Sequence, residues 1–487
     1  MAAGLRPDTF VDPPVGDLPG TWRSPRGWRE PLAQAGALVA VTAGLGLVAA
    51  IQPVLVLATI AGLLLIAWLL ARPVRGAYLF ALLVPIVVGV SRGAVVPVLR
   101  PNEALILLAL GVAVLYTTWG PADGAVQRGP LLAVDRAFAL LFVCGSVLPL
   151  AVLLFRSDFP TAEDTFQLLS LLKLYLGYRL VLALVHTEQQ MLTVARLMLI
   201  ASVVVATVGL LQVARVADVH ELLARYYSAV QVRDSLELRR ATSTLGVWQA
   251  LGVYLAVHAA LALALLRTAA GRGRWRPFLL VALGCNVIGS LATMTVTAAL
   301  ALPIALGLTA VFTRQVRRTL AVGVPLLLVG LILLWPAIEE RWAYQFYQYG
   351  TTLTMPLSWE GRLTNLTQVF WPLVRENLLF GVAPSVDPNL PWLYAENQVM
   401  YLLYQGGLPY AAAYFVFLIV LMRTLWGCLR RLQGPALAIA RSAFIAWLLV
   451  FVLGVLDTHL TMPGEAEAAW TLLALTVGAV LRAGEAP

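Results

Sequence analysis

The residues best suited to chemistry are a few arginines and one carboxylate that lie in polar stretches between long apolar segments. Arg240 lies in one polar stretch, Arg362 lies in a second, and Glu396-Asn397 stands where the second stretch meets an apolar segment. Arginine stays ionised and presents several N–H donors to anionic oxygens. The pattern therefore predicts an anion-binding site, with a carboxylate beside it that could act as a general acid or base.

The composition indicates which kind of scaffold must position these residues. Of the 487 residues, 60% are apolar and 12% are charged, and the mean hydropathy is +0.84. A soluble domain carries about 25% charged residues, and a single water-soluble core stops growing beyond about 250–300 residues. The chain is therefore predicted to be an integral membrane protein. A disordered chain, a disulfide scaffold and an ordinary soluble enzyme are excluded.

The net charge and the cysteines narrow the expected partners. The formal net charge is +9, and Lys173 is the one lysine among 34 cationic residues. Nucleic-acid-binding proteins present clustered basic residues on a water-exposed surface, and this chain has little such surface. Anionic lipids or an anionic lipid-linked substrate are therefore the expected partners, and nucleic acid is not. The three cysteines show no CxxC spacing, and no cluster of His, Cys, Asp and Glu has metal-ligand spacing. We expect neither a cofactor nor a metal.

Apolar stretches recur along the chain and predict an all-α, polytopic protein with about 12–14 transmembrane helices. Residues 1–32, rich in Pro, Gly and charge, are expected to form a flexible cytoplasmic tail, and residues 33–487 a single transmembrane domain. The candidate spans are 33–51, 54–71, 77–90, 104–119, 137–155, 166–185, 192–214, 245–266, 278–292, 294–312, 319–338, 398–422, 442–456 and 468–481. Several are shorter than the ~20 residues that cross a bilayer.

The loop charges predict the orientation. Arginines concentrate in alternate loops, which the positive-inside rule places in the cytoplasm together with both termini. These arginines are Arg72, Arg75, Arg128, Arg136, Arg267, Arg272, Arg274, Arg276, Arg314, Arg317, Arg318, Arg423, Arg430, Arg431 and Arg441. The acidic loops 157–165 and 457–467 fall outside, as do 215–244 and 339–397, which are expected to form the active-site side. The predicted location is the cytoplasmic (inner) membrane.

The large extracytoplasmic loop 339–397 is predicted to contain amphipathic helix. Ser358 can serve as an N-cap, apolar residues recur after it at helical spacing, Pro372 predicts a kink, and Gly381 ends the run. Arg362 falls in the first turns, where a cation gains nothing from the helix dipole, so its position indicates another purpose. The tryptophans and tyrosines of residues 342–359 suit either an interfacial belt or sugar stacking.

Short motifs surround this loop in a characteristic order. They run Arg362…Trp371-Pro372…Leu379-Phe380-Gly381-Val382-Ala383-Pro384…Glu396-Asn397-x-x-x-Tyr401-Leu402…Gly407-Leu408, and Arg240-Ala241-Thr242-Ser243-Thr244-Leu245-Gly246 precedes them. This order resembles that of the bacterial O-antigen ligase/polymerase family of polytopic, GT-C-type glycosyltransferases. Ala292-Thr293-Met294-Thr295-Val296 is similar to the T-x-S-R motif of that family, with Val296 where Arg is usual.

The resemblance implies glycosyl transfer from a polyprenyl-diphosphate-linked saccharide on the outer face of the membrane, with inversion and without a metal. Arg240 and Arg362 would clamp the diphosphate, and Glu396 would deprotonate the acceptor hydroxyl. The further substrate-binding candidates are Arg239, Arg341, Asn397, Tyr401 and the intramembrane Lys173. Each arginine could instead form an ordinary salt bridge with a neighbouring carboxylate.

The sequence leaves open which acceptor receives the saccharide and whether the protein is an enzyme or a transporter. Ligases of the family usually have His where Glu396 stands, which favours a polymerase of lipid-linked repeats over a ligase to a lipid or protein acceptor. His220 and His459 are outer residues that could replace that His. A flippase or transporter of lipid-linked oligosaccharides would instead place its charges mid-membrane. Expected partners are the lipid-linked donor, a glycan acceptor, membrane lipids and other polysaccharide-assembly proteins.

Overall fold

The computed structural model describes residues 53–95, 98–119, 126, 131–227, 239–348, 351–352, 356–392 and 395–484. The contacts divide the chain into two compact units, residues 1–67 and residues 68–487. The site and the packing that supports it lie in the second unit. The predicted tail, 1–32, and the first predicted span, 33–51, fall outside the described residues.

The described chain is almost entirely helical. In chain order the helices are α1 (Pro53–Ala71), α2 (Val74–Val87), α3 (Pro101–Trp119), α4 (Ala133–Phe155), α5 (Ala162–Leu184), α6 (Glu188–Ala214), α7 (Val219–Tyr226), α8 (Trp248–Leu266), α9 (Trp275–Leu291), α10 (Val296–Thr313), α11 (Val316–Phe346), α12 (Leu357–Thr364), α13 (Trp371–Glu376), α14 (Gln398–Arg431), α15 (Gly434–Leu453) and α16 (Glu465–Arg482). After α11, the two-residue strand β1 (Tyr347–Gln348) pairs antiparallel with β2 (Thr351–Thr352).

The predicted class, an all-α multi-pass membrane protein, is confirmed by these helices. Within the described ranges, nine helices are long and apolar enough to cross a membrane: α3, α4, α5, α6, α8, α10, α11, α14 and α15. Shorter apolar stretches lie in α1, α2 and α9. Each predicted span from 54–71 onward coincides with one of the helices, and the last coincides with α16.

Helix α8 is the central helix of the second unit. Its sequence is apolar on every side, and nearly all of its residues are buried. A helix of this kind is stable only when other helices enclose it, and α9, α10 and α15 pack on it. His258, which we predict to be buried and hydrogen-bonded, has its Nδ1 2.7 Å from the carbonyl oxygen of Tyr254. The first turn of α8, at Trp248 and Gln249, reaches the end of the bundle where the polar segments meet.

The segments predicted to lie outside the membrane meet at this end. The amide of Ala241, before α8, donates to the carbonyl oxygen of Ala292, after α9, at 3.0 Å. The amide of Gln398, at the start of α14, donates to the carbonyl oxygen of Gly454, after α15, at 2.7 Å. Arg267 follows the opposite end of α8, near arginines at the starts of α9 and α11. The segment before α8 and the turn after α9 therefore meet at one end of the bundle, and the arginines around Arg267 lie at the other end of α8.

The loop between α11 and α14 differs from its prediction at both ends of its helical stretch, which ends at Glu376 and not at Gly381. Helix α12 begins one residue before Ser358, with Pro356 at the N-cap position and no side-chain cap. The predicted Ser358 cap is therefore wrong. The fixed φ of proline already directs the chain into the helix, and the Ser358 amide donates to Gln345 Oε1 at 3.0 Å. A π-helical turn at Asn365–Phe370, just before Pro372 in α13, occupies the place of the predicted kink.

Two glycines allow this loop to pack directly against α14. Helix α14 is broken at Gly407, which has φ +67°. Gly381 has φ +77°, and a Cβ atom on it would lie 2.7 Å from the backbone nitrogen of Gly406. The amide of Val382 donates to the carbonyl oxygen of Tyr404 at 2.6 Å. Since a side chain fits at neither glycine, this backbone-to-backbone contact fixes the loop over the end of the bundle.

Candidate active site

A cavity of about 700 Å³ lies at this end of the bundle. Its walls come from the start of α8, the α9–α10 turn, the last turns of α11, helix α12 and the residues before α14. The polar residues that line it are Arg240, Gln249, Ser290, Thr295, Arg341, Gln345, Ser358, Arg362 and Glu396. Four residues predicted to take part in chemistry or substrate binding thus share one cavity: Arg240, Arg341, Arg362 and Glu396.

Arg240 is the most deeply buried of the three arginines in the cavity and is only 5% exposed. Its Nε donates to the carbonyl oxygen of Thr293 at 3.1 Å, and its guanidinium carbon lies 3.7 Å from the centre of the Trp248 ring. Within the part of the chain that the structure describes, no carboxylate forms an ion pair with it. A buried cation without a counter-charge is costly, so this position favours the binding of an anion.

The segment that carries Arg240 is held by α6. The amides of Thr242 and Ser243 both donate to Gln212 Oε1 at 2.9 Å. Gly246, at φ +77°, then turns the chain into α8. The motif after Arg240 is therefore a rigid turn, and it fixes the backbone from which the arginine reaches the cavity.

Arg362 and Glu396 face each other in the cavity. Arg362 Nε lies 3.6 Å from Glu396 Oε1, and each side chain is 16% exposed. Arg362 projects from α12, whereas Glu396 lies just before α14. The neighbouring Asn397 caps α14 by accepting a hydrogen bond from the Met400 amide at 2.9 Å, and its Nδ2 donates to the carbonyl oxygen of Val455 at 3.0 Å. Asn397 therefore holds Glu396 in place, and it does not line the cavity.

The cavity has a marked excess of positive charge. Burial lowers the pKa of the Arg240 guanidinium, and the positive charges of Arg341 and Arg362 lower it further. Against these three cations stands one carboxylate, Glu396, among the described lining residues. A bound polyanion would relieve the repulsion between the arginines, because opposite charges at close range favour the ionised forms.

The surroundings of the Glu396 carboxyl raise its pKa. Burial raises its pKa above the ordinary value, Arg362 opposes this shift, and the nearby Asp457 adds to it. Burial raises the pKa of Asp457 as well. A carboxylate with a raised pKa holds a proton more readily, which suits it to accept one from a hydroxyl group near neutral pH.

Unusual backbone conformations accompany these side chains. Arg239, Met294 and Glu396 have φ values of +45°, +50° and +49°. Such conformations cost about 1–3 kcal/mol each for residues other than glycine, and they concentrate at functional sites. Met294 and Glu396 line the cavity, and Arg239 precedes Arg240.

Two predicted substrate-binding residues lie outside the cavity on the same end of the bundle. Arg239 forms an exposed ion pair with Glu340, with 3.3 Å between Nε and Oε2. The Tyr401 hydroxyl accepts a hydrogen bond from Gln167 Nε2 at 2.9 Å. Neither residue lines the cavity, so neither is placed to contact a ligand there.

Lys173 and His459 are also placed away from the cavity, in ion pairs within the bundle. Lys173 Nζ lies 3.2 Å from Glu467 Oε1 on α16. His459 is fully buried, and its Nδ1 lies 2.9 Å from Glu465 Oε2. Burial would lower the pKa of the His459 imidazole, but Glu465 raises it above the ordinary value. His459 does not line the cavity.

The structure adds lining residues that the sequence analysis did not select. Trp248 and Trp392 line the cavity, although nothing in their immediate sequence marks them. Val296, which stands where the resembling family has Arg, lines it without a charge. Arg341, which the sequence analysis did select as a substrate-binding candidate, lines the same cavity from α11 and supplies a third guanidinium group.

Among the described residues, no group of three or more His, Cys, Asp and Glu side chains is arranged to hold a metal ion. No protein-family model matches the chain, and comparison with characterised proteins finds no significant match. The fold and the cavity define a multi-pass, all-α membrane protein with a cationic cavity at one end of its helical bundle.

Proposed function

We propose that the protein is a membrane glycosyltransferase that uses polyprenyl-diphosphate-linked saccharides as donors and polymerises them at this cavity. One observation supports the proposal most directly: Arg240, Arg341 and Arg362 converge with Glu396 on a single cavity. The cations suit a diphosphate leaving group, and the carboxylate suits an incoming hydroxyl group.

The lining of the cavity suits a donor that has an apolar tail and an anionic head. Leu291, Ala299 and Ile338 are apolar lining residues that belong to the helices α9, α10 and α11. The guanidinium groups come from the ends of helices and from the loops. An isoprenoid chain would therefore lie against the helices while its diphosphate reaches the arginines. A volume of about 700 Å³ is within the range of ligand-binding clefts.

The proposed reaction needs one proton acceptor and one stabiliser of the leaving group. Glu396 takes the proton of the acceptor hydroxyl, whose oxygen forms a bond to the anomeric carbon of the donor. The bond from that carbon to the diphosphate oxygen breaks, and the electron pair leaves with the diphosphate. Arg240 and Arg362 neutralise the charge that develops there. Attack from the side opposite the leaving group inverts the anomeric configuration.

The position of the charges favours an enzyme over a transporter. A transporter for the same lipid would hold its substrate near the middle of the membrane. The charged groups of the cavity instead lie at one end of the bundle, and the partly exposed Lys173 is paired with the buried Glu467. Glu396, where ligases of the resembling family usually have His, favours a polymerase over a ligase.

We propose that the cavity faces the outside of the cytoplasmic membrane, with both termini in the cytoplasm. The support is the distribution of arginines, which concentrate in the loops at the opposite end of the bundle, including those around Arg267. Asn389→Cys, at an exposed position of the long loop, should react with a membrane-impermeant maleimide added to intact cells. Labelling only after lysis would contradict this orientation.

The test of function is chain extension by the purified protein, reconstituted in liposomes with a polyprenyl-diphosphate-linked saccharide. Arg362→Gln and Glu396→Gln should each abolish extension. Arg375→Gln is the matched control, because Arg375 lies in the same loop but is exposed and does not line the cavity. Unchanged extension by the first two variants would refute the site. Movement of the intact lipid between leaflets without extension would favour the transporter.

A further inference from the structure

The cavity has more aromatic surface than the binding of a lipid diphosphate requires. The aromatic lining residues are Trp248, Trp342, Tyr344, Phe346, Trp359 and Trp392. They come from α8, the end of α11, α12 and the segment before α14. Aromatic rings at a polar cavity need an explanation, because rings of this size are usually enclosed in a core or turned towards lipid.

Two of these rings form cation–π contacts with arginines of the cavity. The Trp248 ring lies under Arg240 at 3.7 Å, and the Tyr344 ring lies 5.3 Å from the guanidinium carbon of Arg341. Such contacts hold a guanidinium group in place through the negative face of the ring. This role does not extend to the remaining tryptophans.

Two of the other three tryptophans pack on a neighbouring residue, and all three have exposed surface. The Trp392 ring lies against Gly361, because a Cβ atom built there would be 3.4 Å from the ring. Trp342 packs on Phe346, with 4.4 Å between the ring centres. Trp359 lies on α12, one turn before Arg362. Trp359 is 42% exposed, Trp392 is 39% exposed and Trp342 is 61% exposed. All three line the cavity that holds Arg362, so each has ring surface free to contact a ligand there.

An interfacial belt does not account for these three tryptophans. In a belt the rings face the lipid around the perimeter of the protein. Trp342, Trp359 and Trp392 instead line one cavity that they share with the guanidinium groups. Trp335, on the same helix as Trp342, is exposed and lies outside the cavity, as expected of a belt residue.

We propose that Trp342, Trp359 and Trp392 form a saccharide subsite, in which their rings stack on the C–H faces of pyranose units of the donor. The inference rests on the proposed function and identifies which part of the cavity recognises the sugar. A pyranose has an apolar face and a polar rim, so it matches a flat ring beside polar groups. The diphosphate contacts the arginines, and the saccharide extends from them over the tryptophans.

The test compares two probes by equilibrium binding to the purified protein in detergent. One is polyprenyl diphosphate without sugar, and the other is the pool of polyprenyl-diphosphate-linked saccharide extracted from source cells that lack this gene. Trp359→Leu and Trp392→Leu keep an apolar side chain but remove the flat ring. Each should weaken binding of the saccharide-bearing lipid about 3- to 10-fold, the value of one ring contact. Binding of the sugar-free lipid should be unchanged.

Matched variants separate stacking from other losses. Trp392→Phe keeps a flat ring and should bind the saccharide-bearing lipid nearly as well as the wild type, and Trp335→Leu should have no effect. If the leucine variants weaken both probes equally, the rings contact the isoprenoid tail, and the inference is wrong. It is also wrong if they weaken neither. The proposed function fails separately if Arg362→Gln binds both lipids with wild-type affinity.

Discussion

The Nε atom of Arg362 and the Oε1 atom of Glu396 lie 3.6 Å apart in the cavity, and this ion pair links the loop helix α12 to the start of α14. The positive charge of Arg362 partly offsets the increase that burial causes in the pKa of Glu396. A diphosphate bound to Arg362 would compete for that charge. Donor binding would then raise the pKa of Glu396 further and make it a stronger base when the acceptor arrives.

The pH dependence of activity should follow the ionisation of Glu396. The carboxylate must be deprotonated to act as a base, and burial raises its pKa. Activity should therefore increase with pH through a transition above the ordinary glutamate value of about 4.3. Glu396→Gln should lower kcat by about 10²–10⁴-fold and remove this transition. Initial rates of chain extension across the pH range measure both effects, and an unchanged pH profile in the variant would argue against Glu396 as the base.

Arg240 should not tolerate replacement by lysine. Its guanidinium group stacks on Trp248 and donates to Thr293, and an ammonium group cannot keep this flat geometry. Arg240→Lys should lower kcat by about 10²–10³-fold, the usual cost of losing one charge stabiliser. The control is Arg239→Lys, since the exposed pair of Arg239 with Glu340 is worth at most about 1 kcal/mol. Equal losses in both variants would contradict the assignment of Arg240.

The docking of the long loop on α14 should fail when a methyl group is added to Gly381. Gly381→Ala places Cβ 2.7 Å from the backbone nitrogen of Gly406 in a left-handed conformation that itself costs roughly 1–2 kcal/mol. We expect a lower melting temperature and loss of chain extension. Gly427→Ala, in a regular turn of α14 with nothing nearby, should be neutral or slightly stabilising. Thermal unfolding in detergent compares the two, and equal melting temperatures would show that the docking contact is unimportant.

Lys173 should affect stability through its ion pair. Removing one partner of a fully buried pair costs about 3–5 kcal/mol. We expect a smaller loss here, because Lys173 is partly exposed and Glu467 keeps the hydrogen bond from the Gly464 amide. Lys173→Met should therefore unfold at a lower temperature, and adding Glu467→Gln should restore part of the loss. If Lys173 instead binds substrate, the double variant will fold normally but remain inactive, while Glu467→Gln alone keeps its activity.

Asp457 gives a prediction about stability with a definite sign. Its side chain is buried, and burial raises its pKa despite the opposing effect of His459. When folding raises the pKa of a carboxyl group, the ionised group destabilises the folded state. This penalty is absent at pH values below the unfolded pKa, where the group is protonated in both states, and it is complete at pH values above the folded pKa. Asp457→Asn should therefore raise the melting temperature at about pH 8 and change it little at about pH 4. A lower melting temperature at the higher pH would contradict this prediction.

The sequence predicts the membrane helices well because their signal is local. Each apolar stretch must satisfy its own backbone hydrogen bonds as a helix, whatever its neighbours do. The start of α12 is harder to predict, since Pro356 and Ser358 both suit a helix start. The choice depends on Gln345, which accepts the Ser358 amide from another element.

The site is predictable in its parts but not in its assembly. Arg362 and Glu396 stand out because they belong to the motifs of the long polar loop, yet only the docking of the loop on α14 brings them together. Lys173 stands out because it interrupts an apolar segment, but its partner Glu467 is distant in sequence. Trp392 carries no local signal, since its position depends on the bare backbone of Gly361.

The contact between Gly381 and the break at Gly407 involves main-chain atoms and no side chains. Neither glycine lines the cavity, so this contact holds the loop at a place separate from the residues proposed to bind a ligand. Substitutions at Trp359 and Trp392 are therefore expected to leave the contact intact. Under the proposed function, a designer who wishes to change the recognised glycan would keep both glycines and randomise the tryptophan positions, as is done with the variable loops of an antibody framework.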